Sequence, residues 1–148
     1  MSLVENKKAY FNYEILEKLD AGIELFGFEV KALRKGQGSL EGTHITVRGN
    51  EAFLIGMNIP PYQTANTPKD YEPTRNRKLL LTKKEILSLI GTEKQKGLTI
   101  VPISVYNKGR KLKLSLGIAR GKKKFDKRET IKKRETDRET RRVMKYEE

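Results

Sequence analysis

The stretch from residue 98 to residue 118 constrains the fold most. Leu112, Leu114, Leu116 and Ile118 alternate with Lys113, Ser115 and Gly117. That is the period of a strand with one face buried and one face wet. Residues 98–106 form a second branched, apolar run, and Asn107-Lys108-Gly109-Arg110 lies between the two. This predicts a hairpin. Residues 44–47 and 52–57 flank Arg48-Gly49-Asn50-Glu51 and predict another. Residues 9–19 are rich in aromatic and branched types and read as a strand. Asp20-Ala21-Gly22 reads as a turn, after which residues 23–25 resume.

Two segments have helical character. Residues 29–35 end at Gly36, a suitable C-terminal stop. Residues 82–90 start at Thr82 with Glu85 three positions on, a capping-box pattern, and Ile86, Leu87, Leu89 and Ile90 supply an apolar stripe before Gly91. Residues 58–77 hold Pro60, Pro61, Pro68 and Pro73 and are expected to form an ordered loop. Many short strands with few helices predict a mainly β fold: an oligonucleotide-binding-like antiparallel β-barrel with two or three short helices and a basic C-terminal tail. Residues 1–118 would be the barrel body and residues 119–148 the tail.

A chain of 148 residues suits one domain plus a tail. It has no cysteine, which excludes disulfides, thiol nucleophiles and Cys-based metal sites. No apolar stretch near the start resembles a secretory signal, and no run is long enough to span a bilayer. A cytoplasmic monomer is expected. The formal charge of +13 favours a polyanionic partner. Nucleic acid is preferred over a membrane, because phosphate neutralisation releases counterions and no basic helix carries an opposing Trp/Phe/Leu face.

Reactive constellations are not legible. His44 is the only histidine and lies in an expected strand. Glu29 and Glu85 are isolated acids, whereas a metal-dependent nuclease needs clustered ones. Gly36-x-Gly38 lacks the rest of a phosphate-cradling fingerprint. The chain therefore reads as a non-enzyme without metal or cofactor. Its cations are better organised: Asn6-Lys7-Lys8, Lys31-x-x-Arg34-Lys35, Arg75-x-Arg77-Lys78, Lys108-x-x-Lys111 and Lys113 are interleaved with Tyr10, Tyr13, Tyr62 and Tyr71. Such a surface suits RNA, whose unpaired bases stack on rings while cations hold phosphates. Tyr10 and Tyr13 serve equally well as core or barrel-edge residues.

Residues 119–148 carry 13 Lys+Arg against 7 Asp+Glu. Their few large apolar residues cannot close a core, so the tail is expected to be disordered alone and to fold on binding. In a helix, Lys127, Arg134, Arg138, Arg141 and Lys145 would form one cationic stripe, and the pairs Glu129–Lys133 and Asp137–Arg141 would support it.

Five ordered blocks are more specific than any of these patterns. They are Asn6-Lys7-Lys8-Ala9; residues 27–34 (GFEVKALR); residues 75–81 (RNRKLLL) with Glu85-Ile86; Val101-Pro102 with Tyr106; and residues 121–129 (GKKKFDKRE). Together they resemble the SsrA-binding protein family over essentially the whole chain. The resemblance implies tmRNA and the ribosome as partners. The barrel would hold the tRNA-like domain of tmRNA, and the tail would enter the empty message channel of a stalled ribosome. By position it implies Glu29, Lys31, Arg34, Lys113, Asn6, Lys7 and Tyr62 as tmRNA-binding residues, with Leu79, Leu80 and Leu81 opening a helix. It implies Lys124, Phe125, Asp126, Lys127, Arg128, Ile131, Lys132, Arg134, Val143 and Met144 for the decoding centre. The chain departs from the family at Ala32, often Ser, and at residues 41–44 (EGTH). It departs also at Tyr71-Glu72-Pro73, where His-Asp-Pro is common, and at Phe125. The alternative is a general ribosomal or translation-factor RNA-binding module without tmRNA specificity.

Overall fold

The computed structural model describes residues 2–63, 65 and 67–122. The elements are β1 (Ser2–Glu5), α1 (Ala9–Asn12), β2 (Tyr13–Ile23), α2 (Gly27–Arg34), β3 (His44–Arg48), β4 (Glu51–Ile55), β5 (Arg77–Leu80), α3 (Lys83–Lys94), β6 (Leu98–Lys108) and β7 (Lys111–Gly121). The seven strands form one antiparallel sheet in the order β1-β6-β7-β2-β5-β4-β3. The sheet curls until β3, at one edge, lies against β6, and α3 packs on both strands at that seam. The barrel is thus curled but not closed by a hydrogen-bonded ladder, which agrees with the expected oligonucleotide-binding-like class.

Both expected hairpins form. Arg48 pairs with Glu51 and Lys108 with Lys111, leaving two-residue loops. Gly49 and Gly109 take the first loop position with φ of 62° each. A left-handed first residue gives the loop the twist of the flanking strands, and glycine adopts it without steric penalty. The alternation in β7 turns Leu112, Leu114, Leu116 and Ile118 inward, beside Leu33, Leu40, Leu54, Met57, Ile59, Leu79, Leu89 and Val105. The capping box of α3 is present: Thr82 Oγ1 accepts from the Glu85 N–H at 3.2 Å, and Glu85 Oε1 accepts from the Thr82 N–H at 2.9 Å.

Several expectations are corrected. Ala9–Asn12 is a helical turn rather than the start of a strand, with the Asn12 N–H donating to Lys8 O at 2.9 Å. Asp20-Ala21-Gly22 lies inside β2 rather than in a turn, all three paired with β7 and Gly22 with β5 as well. Leu79 and Leu80 belong to β5 and do not open a helix; Leu81 precedes the Thr82 cap. Gly91 does not end α3, which runs to Lys94. A Cβ at Gly91 would meet open space. β7 continues beyond Ile118 to Gly121, with Ala119 fully buried and paired to Ile15.

Candidate nucleic-acid interface

The outer face of the sheet carries a row of residues set by register. Tyr106 pairs with Lys113, Lys113 with Gly22, and Gly22 with Leu80. Directly opposed residues share a face of a sheet, so the row crosses β6, β7, β2 and β5. Asp20, two residues before Gly22, lies on the same side of β2. Gly22 keeps the middle of the row low: a Cβ there would stand 3.1 Å from Leu80 Cβ. Leu80 is 50% exposed and Leu87 of α3 is 65% exposed. Together with Asp20, Lys78, Lys83, Ile86 and Lys113 they line a cleft of about 830 Å³ between the sheet and the start of α3. Lys78 pairs with Glu51 at 3.2 Å. Burial, then the hydrogen bond to Asp20, pushes the Tyr106 hydroxyl up. The cleft offers apolar side chains for ring faces and lysines for phosphate. Of its members, Lys113 and Lys78 stood among the organised cations of the sequence, and only Lys113 was implied by the resemblance as a tmRNA-binding residue. Leu80 was legible as a sequence position but not as an exposed one.

The second feature is buried. Glu29, fully inaccessible, accepts from four neighbours. Its Oε2 takes Arg77 Nη2 at 2.7 Å, Arg77 Nε at 3.0 Å, Arg75 Nε at 3.1 Å and the Tyr71 hydroxyl at 2.9 Å. Its Oε1 takes the Phe26 N–H at 2.7 Å and Arg75 Nη2. Arg77 is equally buried and also donates to the carbonyls of Met57, Pro73 and Arg75. Burial pushes the Glu29 carboxyl up. Hydrogen bonds from Arg75, Phe26 and Arg77, with the Arg77 charge, outweigh that and hold it below the usual carboxylate range. Burial, then donation to Glu29, pushes Tyr71 up to about 12. The tyrosine that stands where the family commonly has histidine thus completes this network, its single hydroxyl proton shared between Glu29 Oε2 at 2.9 Å and Ile59 O at 2.8 Å.

Glu29, which the resemblance implies for tmRNA binding, has no accessible surface in this placement. A side chain with no accessible surface can act only through its partners. Arg75 and Arg77, expected as surface cations, are taken up by the same network. Tyr62 packs against the core rather than standing free in its loop. Asn6 is half-buried, its Nδ2 donating to Pro102 O at 2.8 Å, so its amide ties the end of β1 to β6. Lys7 is exposed beside it. Lys31 and Arg34 are exposed on α2, and Arg34 Nη2 donates to Arg110 O in the β6–β7 loop at 2.7 Å. Tyr10 is 43% exposed, with Lys18 Nζ 5.1 Å from its ring centroid. Lys124, Phe125, Asp126, Lys127, Arg128, Ile131, Lys132, Arg134, Val143 and Met144 lie outside the described residues. Among the described residues no group of three or more His, Cys, Asp or Glu could hold a metal ion, and no helix is long and apolar enough to cross a membrane.

A curled antiparallel sheet with a lysine-edged, apolar cleft on its outer face defines an oligonucleotide-binding-like β-barrel protein. Comparison with known proteins narrows the class. The family model described as SmpB protein matches residues 3–146. The SsrA-binding proteins of Paraburkholderia xenovorans and Burkholderia thailandensis are 46% and 47% identical over 145 residues, covering 98% of this chain and 98% of each relative. A solved structure described as tmRNA-SmpB at the centre of the bacterial ribosome is 44% identical. It superposes with a TM-score of 0.67, covering 81% of this chain and 84% of that one. The chain belongs to the SmpB family of SsrA-binding proteins.

Proposed function

We propose that this chain binds the tRNA-like domain of tmRNA and delivers it to stalled ribosomes for trans-translation, catalysing no bond change itself. The observation that carries this reading is family membership across nearly the whole chain, tail included. The body presents the cleft of Lys113, Gly22 and Leu80 to the tRNA-like domain, with Lys78 and Lys83 at its rim. Asn6 and Lys7, Lys31 and Arg34 supply further contacts on other faces of the body. Tyr62 contributes by holding its loop. Glu29 acts on RNA only through the groups it positions. The residues beyond the end of β7 at Gly121 form a separate functional part. Lys124 to Arg128, Ile131, Lys132 and Arg134 serve the decoding centre, and Val143 and Met144 make an apolar contact. The tail is disordered when free and helical in the empty message channel.

Two measurements on the full chain test this. In a gel-shift with the tRNA-like fragment of tmRNA, excess bulk tRNA should compete poorly; efficient competition would leave only a general RNA-binding module. Replacing Asp126-Lys127-Arg128 by alanines should abolish tagging on stalled ribosomes while the gel-shift persists. Normal tagging by that variant would reject the assigned role of the tail.

A further inference from the structure

Phe26 occupies a position where its side chain caps no helix and fills no core. It is the N-cap of α2, with φ −73° and ψ 156°, and makes no side-chain cap. Ser, Thr, Asp and Asn are favoured there because they accept a backbone N–H, and phenylalanine has no acceptor. The same chain places Thr82 at the N-cap of α3 with a full capping box. Nor does Phe26 serve the core: its ring is 50% exposed and stands outside the buried cluster. An apolar residue that breaks a local rule without a packing gain is where function is expected.

The ring is nevertheless held in place. It stacks with Phe28 at 5.5 Å between centroids, and Phe28 meets Tyr71 edge-on at 4.7 Å. The Arg75 guanidinium carbon lies 4.1 Å from the Phe26 ring centroid. Arg75 is fixed by both oxygens of Glu29 and reaches Glu24 O at 3.4 Å, yet 24% of its side chain remains accessible. The buried carboxylate thus orients a planar cation, and cation and ring together make a rigid, half-exposed stack. One carboxylate faces two guanidiniums, Arg75 and Arg77, so the set keeps a net positive charge and Arg75 offers a planar surface together with attraction for phosphate.

The stack lies at the end of the same strand pair, β2 and β5, that carries the cleft. Glu24 N donates to Lys78 O at 3.0 Å, extending the β2–β5 ladder beyond Gly22 and Leu80 toward Phe26 and Arg75. At ~3.3 Å per residue the stack lies about 15 Å from the cleft, within the span of one bound RNA. Building on the tmRNA reading, we propose that Phe26 and Arg75 form a stacking platform for an unpaired nucleobase of the RNA held in the cleft. Unpaired bases stack on exposed rings and guanidinium planes.

The test compares full-length Phe26→Ser and Phe26→Trp with the parent, titrating labelled tRNA-like fragment at several salt concentrations. Phe26→Ser should bind about 5- to 150-fold more weakly, the loss typical of one stacked base. Its dependence of log K on log salt should match the parent's, since no phosphate contact is removed. Its melting temperature should stay close to the parent's, because a serine cap on α2 offsets the lost contacts with Phe28 and Arg75. Phe26→Trp should retain affinity. Parent-like binding by Phe26→Ser overturns the platform, and so does a shallower salt slope. If bulk tRNA competes well against the parent while Phe26→Ser still weakens binding of a single-stranded RNA oligonucleotide, the tmRNA reading fails and the platform stands.

Discussion

Glu29 on α2 and Arg77 on β5 form an ion pair with no solvent access to either side chain, Oε2 to Nη2 at 2.7 Å. They are 48 positions apart in the chain. Two charges removed from water hold together only where every remaining donor and acceptor is satisfied. Here Arg75, Tyr71, the Phe26 N–H and three backbone carbonyls complete the set, and among the described residues no buried side-chain polar atom lacks a partner.

Replacing one partner should therefore be costly. Glu29→Gln leaves Arg77 charged, buried and without its counterion. Such a change destabilises by about 3–5 kcal/mol. Chemical denaturation should show the midpoint falling with little change in slope. A loss below about 1 kcal/mol would mean that water enters the network and replaces the carboxylate. RNA affinity should fall only as far as unfolding and disorder of Arg75 dictate.

The same groups set the pH limits of stability. Glu29 has a lowered folded pKa, so its contribution is complete above its ordinary value near 4.5 and is lost as pH falls through the folded value. Tyr71 is raised from 10.0 to about 12, the opposite sign. Its contribution is complete below pH 10 and is lost as pH rises toward 12. Thermal melts across pH 9–12 should show the parent losing stability faster than Tyr71→Phe, once the constant offset between them is removed. Parallel curves would show that the Tyr71 hydroxyl does not titrate late.

What the sequence disclosed was local. The hairpins at Gly49 and Gly109 were legible because alternation and turn chemistry lie within a few residues. The start of α3 was legible because Thr82 and Glu85 are three apart. The network was not, because nothing local tells Arg77, buried on Glu29, from a surface cation. Gly22 was misread for a related reason. Its glycine answers the approach of Leu80 from another strand rather than a turn. Leu80 was read as opening a helix and Leu87 as part of an apolar stripe, and neither reading showed that both side chains stand open to solvent. Family resemblance implied Lys113 and Glu29 alike for tmRNA binding, and only the structure separates them, Lys113 in the outward row and Glu29 pointing inward.

Gly117 illustrates packing that has no slack. A Cβ there would meet Ile15 Cγ2 at 3.0 Å, Ile103 Cδ1 at 3.1 Å and Glu17 O at 3.4 Å. Both flanking strands shift register beside it, β2 between Ile15 and Glu17 and β6 between Pro102 and Ser104. Gly117→Ala should cost about 1–3 kcal/mol by overpacking. Differential scanning calorimetry should show the drop, and an unchanged melting temperature would mean that the two bulges can open to admit a methyl group.

The cleft predicts two kinds of loss that salt can tell apart. Lys113 sits between Tyr106 and Gly22 in the outward row, and its ammonium can replace a counterion on phosphate. Lys113→Ala should weaken binding to the tRNA-like fragment and reduce the slope of log K against log salt by about 1. Leu80 meets Gly22 from the other side and carries no charge. Leu80→Ala should weaken binding with the slope intact, and since half the side chain is already in water, stability should fall by less than about 1 kcal/mol. Gly22→Ala should act like Leu80→Ala, because the added methyl pushes Leu80 out of position while the lysines stay. Isothermal titration at three or more salt concentrations separates these cases. Equal slopes for Lys113→Ala and the parent would place Lys113 off the RNA. Full affinity in both Leu80→Ala and Gly22→Ala would move the interface away from this cleft altogether.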